Sequence, residues 1–184
     1  TLVEQDFEPG GSLLAQPVDS AQAQWLGHMV TELRASAKVH MMTRATAFGL
    51  YDGNTVGVAQ LSAPGLADAK LGVPRQRLHI LRAGQVLMAC GALERPLVFA
   101  GNDKPGVMLS SAVGSYVNRY AVRPGRQAVF AVNNDAAYGD AIALARAGAK
   151  VCIADLRASV DAALMAQAQA VGIEVLPATA ISAV

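Results

Sequence analysis

Apolar positions recur along this chain at two spacings. In VFAVNNDAAYGDAIALARAGAKVCIAD, residues 129 to 155, an apolar run is followed by the polar turn Asn133-Asn134-Asp135, an Ala-rich stretch ending on Gly148, a second apolar run and the acid Asp155. That order predicts strand, turn, helix and strand. Ser159 is placed to cap a further helix running to Val171, Gly172 to end it, and IEVL to form the next strand. Strands alternating with helices after residue 126 predict a parallel sheet.

The first half follows a different rhythm. Asp19-Ser20 precede Trp25, Leu26, Met29, Val30 and Leu33, the spacing that lines one face of a helix. Next, VHMMTRATAFGLYDGNTVGVAQL is rich in β-branched and aromatic residues around Asp52-Gly53-Asn54, a hairpin turn by composition. PGLADAKLGVPRQ has the Gly/Pro punctuation of a loop, and RLHILRAGQVLMACG predicts two strands about Ala83-Gly84, the second ending on Cys90-Gly91. Residues 96–107 form a Pro/Gly-rich crossing, and Leu109, Ala112, Val113, Tyr116, Val117 and Tyr120 define another amphipathic helix.

Composition narrows the function classes. The 184 residues are 53% hydrophobic and 16% charged, enough for one sizeable core or two small ones. Fifteen Lys and Arg against fourteen Asp and Glu leave a formal charge of +1, and aromatics make up 5%, so nucleic acid and acidic membrane surfaces are not the expected partners. Apolar runs such as VCIA and AVFAV are strand-sized, far below the roughly 20 residues that span a bilayer. Cys90 and Cys152 lie in predicted strands without a metal-ligand neighbour, which reads as buried, reduced thiols in a cytoplasmic protein. His28, His40 and His79 have no Ser, Cys or Asp partner at a diagnostic spacing, so neither a hydrolase triad nor a metal site is expected.

The candidate chemistry concerns nucleotides. In a βαβ nucleotide-binding unit, a strand ends in an acid that hydrogen-bonds the adenosine ribose, and a glycine-rich turn and helix precede that strand. Glu4, followed by Gln5, stands where that acid belongs, although a solvated strand-end acid has the same appearance. Gly10, Gly11 and Ser12 offer backbone N–H groups that can approach a pyrophosphate or ribose, or make an ordinary loop. The chain opens inside an apolar run, TLVEQDFEPGGSLL, without the glycine turn, and closes on GIEVLPATAISAV without a charged tail, so the expectation is an internal piece of a longer polypeptide. In the later unit the three glycine positions become Asn133, Asp135 and Tyr138. Asp135 sets a negative charge where a phosphate should sit, and a tyrosine blocks close packing, so this half is expected to keep its shape without holding a nucleotide, with Asp135 capping the helix. Asp155 is at the ribose-acid position and also reads as a polar turn residue.

A hairpin region between two nucleotide-type halves is the layout of two-dinucleotide flavoprotein oxidoreductases. The fold class expected is α/β: a glutathione-reductase-like, Rossmann-type two-dinucleotide module whose first half is truncated and whose second is partial. Residues 1–107 hold the remainder of the first domain with its hairpin region and closing strand, and residues 108–184 hold the second.

The stretch ACGALERPLVFAGNDKPGVMLSSAVGSYVNRYAVRPGRQAVFAVNNDAAYGDAIALARAGAKV resembles the α subunit of heterotetrameric sarcosine oxidase, which carries runs of the form GAxERPLVFAGND, PGVM, NRY and NND-x-AY. EPGGSLL and TRATAFGLYDGN are similar to family stretches as well. The family's Ala-Thr-Gly and Ala-His-Glu-Arg-Pro read here as Ala89-Cys90-Gly91 and Ala92-Leu93-Glu94-Arg95-Pro96. The resemblance implies an NAD-binding α subunit, with FAD on a β subunit oxidising sarcosine to glycine and FMN between the two passing electrons to oxygen to form peroxide. It also implies a separate folate domain carrying the one-carbon unit to tetrahydrofolate, and β, γ and δ subunits as partners. It places Thr46 and Ala47 at the adenine edge, where backbone groups pair with the base. Cys90 and Gly91 end the strand that passes close to the dinucleotide; no second thiol or base activates Cys90 for redox work. The alternatives are an FAD/NAD-binding subunit of an opine or amino-acid dehydrogenase-like complex, and a non-catalytic scaffold.

Overall fold

The computed structural model describes residues 1–62 and 74–184. The chain divides into two compact units, one of Thr1–Gly11 with Gln24–Gly91, the other of Ser12–Ala23 with Ala92–Val184. Most of the predicted loop PGLADAKLGVPRQ lies outside the described residues.

In the first unit, β1 (Leu2–Val3) pairs in parallel with β2 (Met41–Met42), and β3 (Ala45–Tyr51), β4 (Thr55–Leu61) and β5 (Gln76–Arg82) form an antiparallel sheet in that order. The predicted turn Asp52-Gly53-Asn54 joins β3 to β4, with Gly53 at φ 66° and Asn54 at φ 52°. Those left-handed conformations are the ones Gly and Asn adopt at least strain. A small core of Met42, Ala45 and Val58, with Val3, Val56 and Leu81 packed on it, ties the two sheets together. Helix α1 (Ala21–Ala35) starts where predicted, capped by the Ser20 hydroxyl, which accepts from Ala23 N at 3.2 Å.

The second expected strand of RLHILRAGQVLMACG does not form. Residues 85–91 pair with nothing among the described residues, and Leu87 and Met88 are 92% and 72% exposed. An apolar pattern marks a strand only when another strand offers its edge, and none among the described residues does. Cys90 is consequently exposed, against the expectation of a buried thiol; Cys152 is half-buried in a strand, where burial first and the Glu174 charge second push its thiol up.

The second unit is the parallel α/β layer that the sequence predicts. Strands β6 (Gln127–Val132), β7 (Lys150–Asp155) and β8 (Glu174–Leu176) run parallel in that order. Helix α2 (Ser110–Gly114) continues into a π turn at Ser115–Arg119, and α3 (Ala136–Arg146) and α4 (Ala162–Ala170) complete the layer. Phe130, Val132, Tyr138, Ala141, Leu144, Val151 and Ile153 lie in one buried cluster, because the alternating residues of β6 and β7 meet the apolar face of α3. Gly148, at φ 86°, ends α3: its N–H donates to Ala145 O at 2.9 Å, and Ala149 N–H donates to Leu144 O at 3.3 Å. Two predicted caps are corrected. Helix α4 is capped by Asp161, whose Oδ1 accepts from Ala163 N and Leu164 N at 3.0 Å each, and not by Ser159. Asp135 stands at the N-cap position of α3 without a capping bond; Asn134 Oδ1 accepts from Ala136 N at 3.0 Å instead.

Candidate functional site

In the first unit the backbone sets Glu4. Its N–H donates to Met42 O at 2.8 Å and its carbonyl accepts from Ala45 N at 2.9 Å, so the end of β1 is stitched to the end of β2 and the start of β3. Glu4 Oε1 accepts from Asp6 N at 2.9 Å, while Oε2 has no partner among the described residues. The carboxylate is thus held by one oxygen and open at the other. Gln5 is exposed beside it.

The same stitching brings Thr46 and Ala47 into the neighbourhood of Glu4, one and two residues beyond Ala45. Both are exposed on the edge strand β3, opposite Ala59 and Val58, with a bulge following Ala47. Backbone groups on the outer side of an edge strand are open to a planar ligand. Gly10 at φ 147° and Gly11 at φ 54° lead into a 3-10 turn at Gly11–Ala15, with Gly11 and Ser12 exposed. A Cβ on Gly11 would meet nothing, so Gly11 is required by its backbone angle and not by crowding. Cys90 and Gly91 hydrogen-bond to none of these residues and lie in the unpaired stretch, Gly91 at φ 68°.

Sequence reasoning passed over Arg44. Its φ of 52° is rare for a residue with a side chain; its N–H donates to Asp6 O at 2.8 Å, and its guanidinium lies 5.7 Å from the centre of the Phe7 ring. A cation held over the Phe7 ring by a residue in a strained conformation leaves no periodic signal in a sequence.

The second unit shows what became of the degenerate turn. Asp155, at the end of β7, is fully buried, and four donors saturate its carboxylate. Oδ1 accepts from Arg157 N at 2.9 Å and Nε at 3.0 Å, and Oδ2 accepts from Arg157 Nη2 at 2.8 Å and the Tyr138 hydroxyl at 2.9 Å. Arg157 Nη1 reaches Asp135 Oδ1 at 2.7 Å. The Arg157 hydrogen bonds hold the Asp155 carboxyl below the usual range, over the opposing effect of burial. Burial, and then the bond to Asp155, push the Tyr138 phenol up to about 12. Tyr138, at the third glycine position, is thus a buried strut to the acid, not an obstruction left unfilled.

The acid that a ribose would need is therefore occupied by the chain's own guanidinium and phenol. Two carboxylates against one guanidinium leave the turn net negative, the wrong sign for a pyrophosphate. A cavity of about 140 Å³ lies at the carboxyl ends of β6 and β7, lined by Phe99, Ala131, Ala154, Leu156, Thr179 and others. It is below the roughly 300 to 1,000 Å³ typical of organic-ligand pockets. Tyr138→Phe removes one of the four donors to Asp155 and keeps the ring, so the second unit is expected to lose about 1 kcal/mol. Urea unfolding of both proteins measures that difference.

Among the described residues no three His, Cys, Asp or Glu side chains come together to hold a metal ion, and no helix is long and apolar enough to cross a membrane. His79 Nε2 lies 3.0 Å from Gln60 Oε1, and His28 forms an exposed i,i+4 pair with Glu32 at 3.3 Å.

No family model matches the chain. It is 40% identical over 185 residues to the sarcosine oxidase subunit alpha of Corynebacterium sp. (strain P-1), covering 98% of this chain and 19% of that one. To the subunit alpha of Rhizobium meliloti (strain 1021) it is 41% identical over 153 residues, covering 82% of this chain and 16% of the relative. The chain thus spans about a fifth of the length of the curated relatives it matches. Among solved structures it is similar to L-proline dehydrogenase from P. horikoshii, with a TM-score of 0.67 at 20% identity over 87% of this chain and 31% of that chain. It also matches the reduced Bacillus anthracis CoADR-RHD, with a TM-score of 0.63 at 9% identity over 98% of this chain and 34% of that chain. The two Rossmann-type sheets and these neighbours agree on a glutathione-reductase-like fold. By fold this chain is a glutathione-reductase-like, Rossmann-type domain, and by sequence it is related to the sarcosine oxidase α subunits.

Proposed function

We propose that this chain is the NAD-binding part of the α subunit of a heterotetrameric sarcosine oxidase. The observation that carries the reading is the 40% identity extending over 98% of the chain. The half-open Glu4 carboxylate beside an exposed strand edge supports it. In this reading the NAD belongs to residues 1–107. Glu4 accepts from the adenosine ribose hydroxyls, with Gln5 beside it, Gly10, Gly11 and Ser12 present N–H groups to the dinucleotide, and Thr46 and Ala47 present backbone groups to the adenine edge. Cys90 and Gly91, at the end of the unpaired 85–91 stretch, are small enough to let the backbone approach the dinucleotide. Residues 1–107 make up the first domain and residues 108–184 the second.

The saturated Asp155 argues for one dinucleotide on this chain and not two. Bound there, NAD would supply a hydride acceptor; the chain's own residues bind and orient it. FAD and FMN, which oxidise sarcosine to glycine and pass electrons to oxygen, and the tetrahydrofolate domain that takes the one-carbon unit, belong to other parts of the assembly. Its β, γ and δ subunits are the partners, in the cytoplasm.

The structural likeness to L-proline dehydrogenase favours a second reading, an FAD/NAD-binding subunit of an amino-acid or opine dehydrogenase-like complex. Denaturing the assembled protein, separating its chains and identifying each released cofactor by mass spectrometry decides between them. NAD released with this chain, and flavin with others, is the expected result. FAD released with this chain would overturn it in favour of the second reading, and no dinucleotide would leave a scaffold.

A further inference from the structure

A run of hydrogen bonds in the first unit begins on β5 and ends on the Glu4 carboxylate. Gln60 on β4 and His79 on β5 are diagonal neighbours on one face of the sheet, since Gln60 is in register with Arg77 and Val58 with His79. That face also carries Ala45, Val56, Val58 and Leu81, where a polar side chain costs stability unless it is bonded. Both polar residues are half-buried, and His79 Nε2 lies 3.0 Å from Gln60 Oε1. On its other side Gln60 is in register with Ala45, and its Nε2 donates to Thr43 O at 3.2 Å. A carbonyl oxygen can only accept, so that bond settles which way the Gln60 amide points, and the amide oxygen must then receive a proton from His79. The neutral imidazole therefore carries its proton on Nε2 and its lone pair on Nδ1.

The next link is a peptide group. The Thr43–Arg44 unit accepts from Gln60 at its carbonyl and donates from Arg44 N–H to Asp6 O at 2.8 Å. Reversing that plane would set its oxygen against the Asp6 carbonyl and its N–H against the Gln60 amide nitrogen. The two bonds thus hold Arg44 at φ 52°, a conformation that a residue with a side chain rarely keeps unaided. Asp6, fixed through its carbonyl, donates its own N–H to Glu4 Oε1 at 2.9 Å. We propose that His79 and Gln60 are positioning residues for the Glu4 carboxylate. Through the Thr43–Arg44 peptide they hold Asp6 where it occupies one Glu4 oxygen and leaves the other for the ribose hydroxyls. This assignment rests on the reading of Glu4 as the ribose acid, and adds two residues that the sequence placed in no site.

The first test needs no ligand and is made on the assembled protein. His79→Phe keeps a ring and removes the donor, and Gln60→Met keeps the length and removes both bonds. Amide hydrogen exchange at Arg44 and Asp6 is expected to quicken about fivefold in each, the worth of one neutral hydrogen bond, while the Glu4 amide, bonded to Met42 O, keeps its rate. His79→Gln, which returns an N–H donor, is expected to restore the slow rate. The second test is NAD affinity by equilibrium dialysis. His79→Phe is expected to weaken it about fivefold, and to change it no further when Glu4→Ala is already present, because a residue acting through Glu4 then has nothing left to position. A merely structural residue would cost the same in both backgrounds. That result would overturn the proposal, as would unchanged exchange at Arg44 and Asp6 in both variants. Absence of NAD binding by the unaltered protein would instead overturn the reading of Glu4, while the exchange rates alone still uphold or overturn the hold on Asp6.

Discussion

Asp155→Ala is expected to lower the stability of the second unit by about 3 kcal/mol. The side chain is small, and the loss comes from what remains. The Tyr138 hydroxyl, buried at 0% exposure, is left without its acceptor, and the Arg157 backbone N–H and guanidinium lose theirs. Asp155→Asn tests the role of charge, because the amide keeps one acceptor oxygen but cannot receive all four donors. It should fall between the two. Since hydrogen bonds from Arg157 lower the Asp155 value in the folded state, its contribution is present above the unfolded carboxylate value and is lost as the pH falls through the lower folded one. Chemical unfolding of the unaltered protein and Asp155→Ala at pH 7 and at pH 3 reads both effects; a difference that stays the same at the two values would sink the assignment.

On the proposed reading, Glu4→Ala in the assembled enzyme is expected to weaken NAD binding about 100-fold, or roughly 2.7 kcal/mol. A charged acceptor facing two ribose hydroxyls makes hydrogen bonds of about 1.5 to 3 kcal/mol each, and part of that is recovered by water once the carboxylate is gone. Glu4→Gln keeps one acceptor and should lose less, about tenfold. The strand pairing at this point is made by the Glu4 N–H and carbonyl against Met42 and Ala45, and the side chain adds only its bond from Asp6 N. Flavin content measured on the same preparations should not change. Equilibrium dialysis against NAD gives the affinities, and unchanged affinity in Glu4→Ala would remove Glu4 from the site.

Much of this architecture was legible because local signals and tertiary packing agree. The 129–155 unit, the helix stop at Gly148 and the turn at Asp52-Gly53-Asn54 all formed as their residues require. Residues 85–91 failed because strand pattern is a property of one segment while pairing needs two. The caps at Asp135 and Ser159 failed for another reason. Several polar residues precede each helix, and which one accepts the first amides is decided by competing partners, here Arg157 for Asp135. That the turn lacks its three glycines could be read from Asn133, Asp135 and Tyr138. That Asp155 is closed off from within could not, because its closure depends on Arg157 folding back two residues and on a tyrosine seventeen residues earlier.

This closure makes the turn hard to convert into a nucleotide site. Glycines introduced at the turn would remove the Asp135 charge and the Tyr138 ring, yet Arg157 would remain tethered two residues from Asp155. A tethered competitor acts at a fixed effective concentration, millimolar for short flexible links, and dilution cannot remove it. An incoming ribose would have to displace a charged, multiply bonded donor with two neutral hydroxyls. Building a second dinucleotide site here would thus start at Arg157, and glycines introduced before the arginine is removed are expected to cost stability without gaining a ligand.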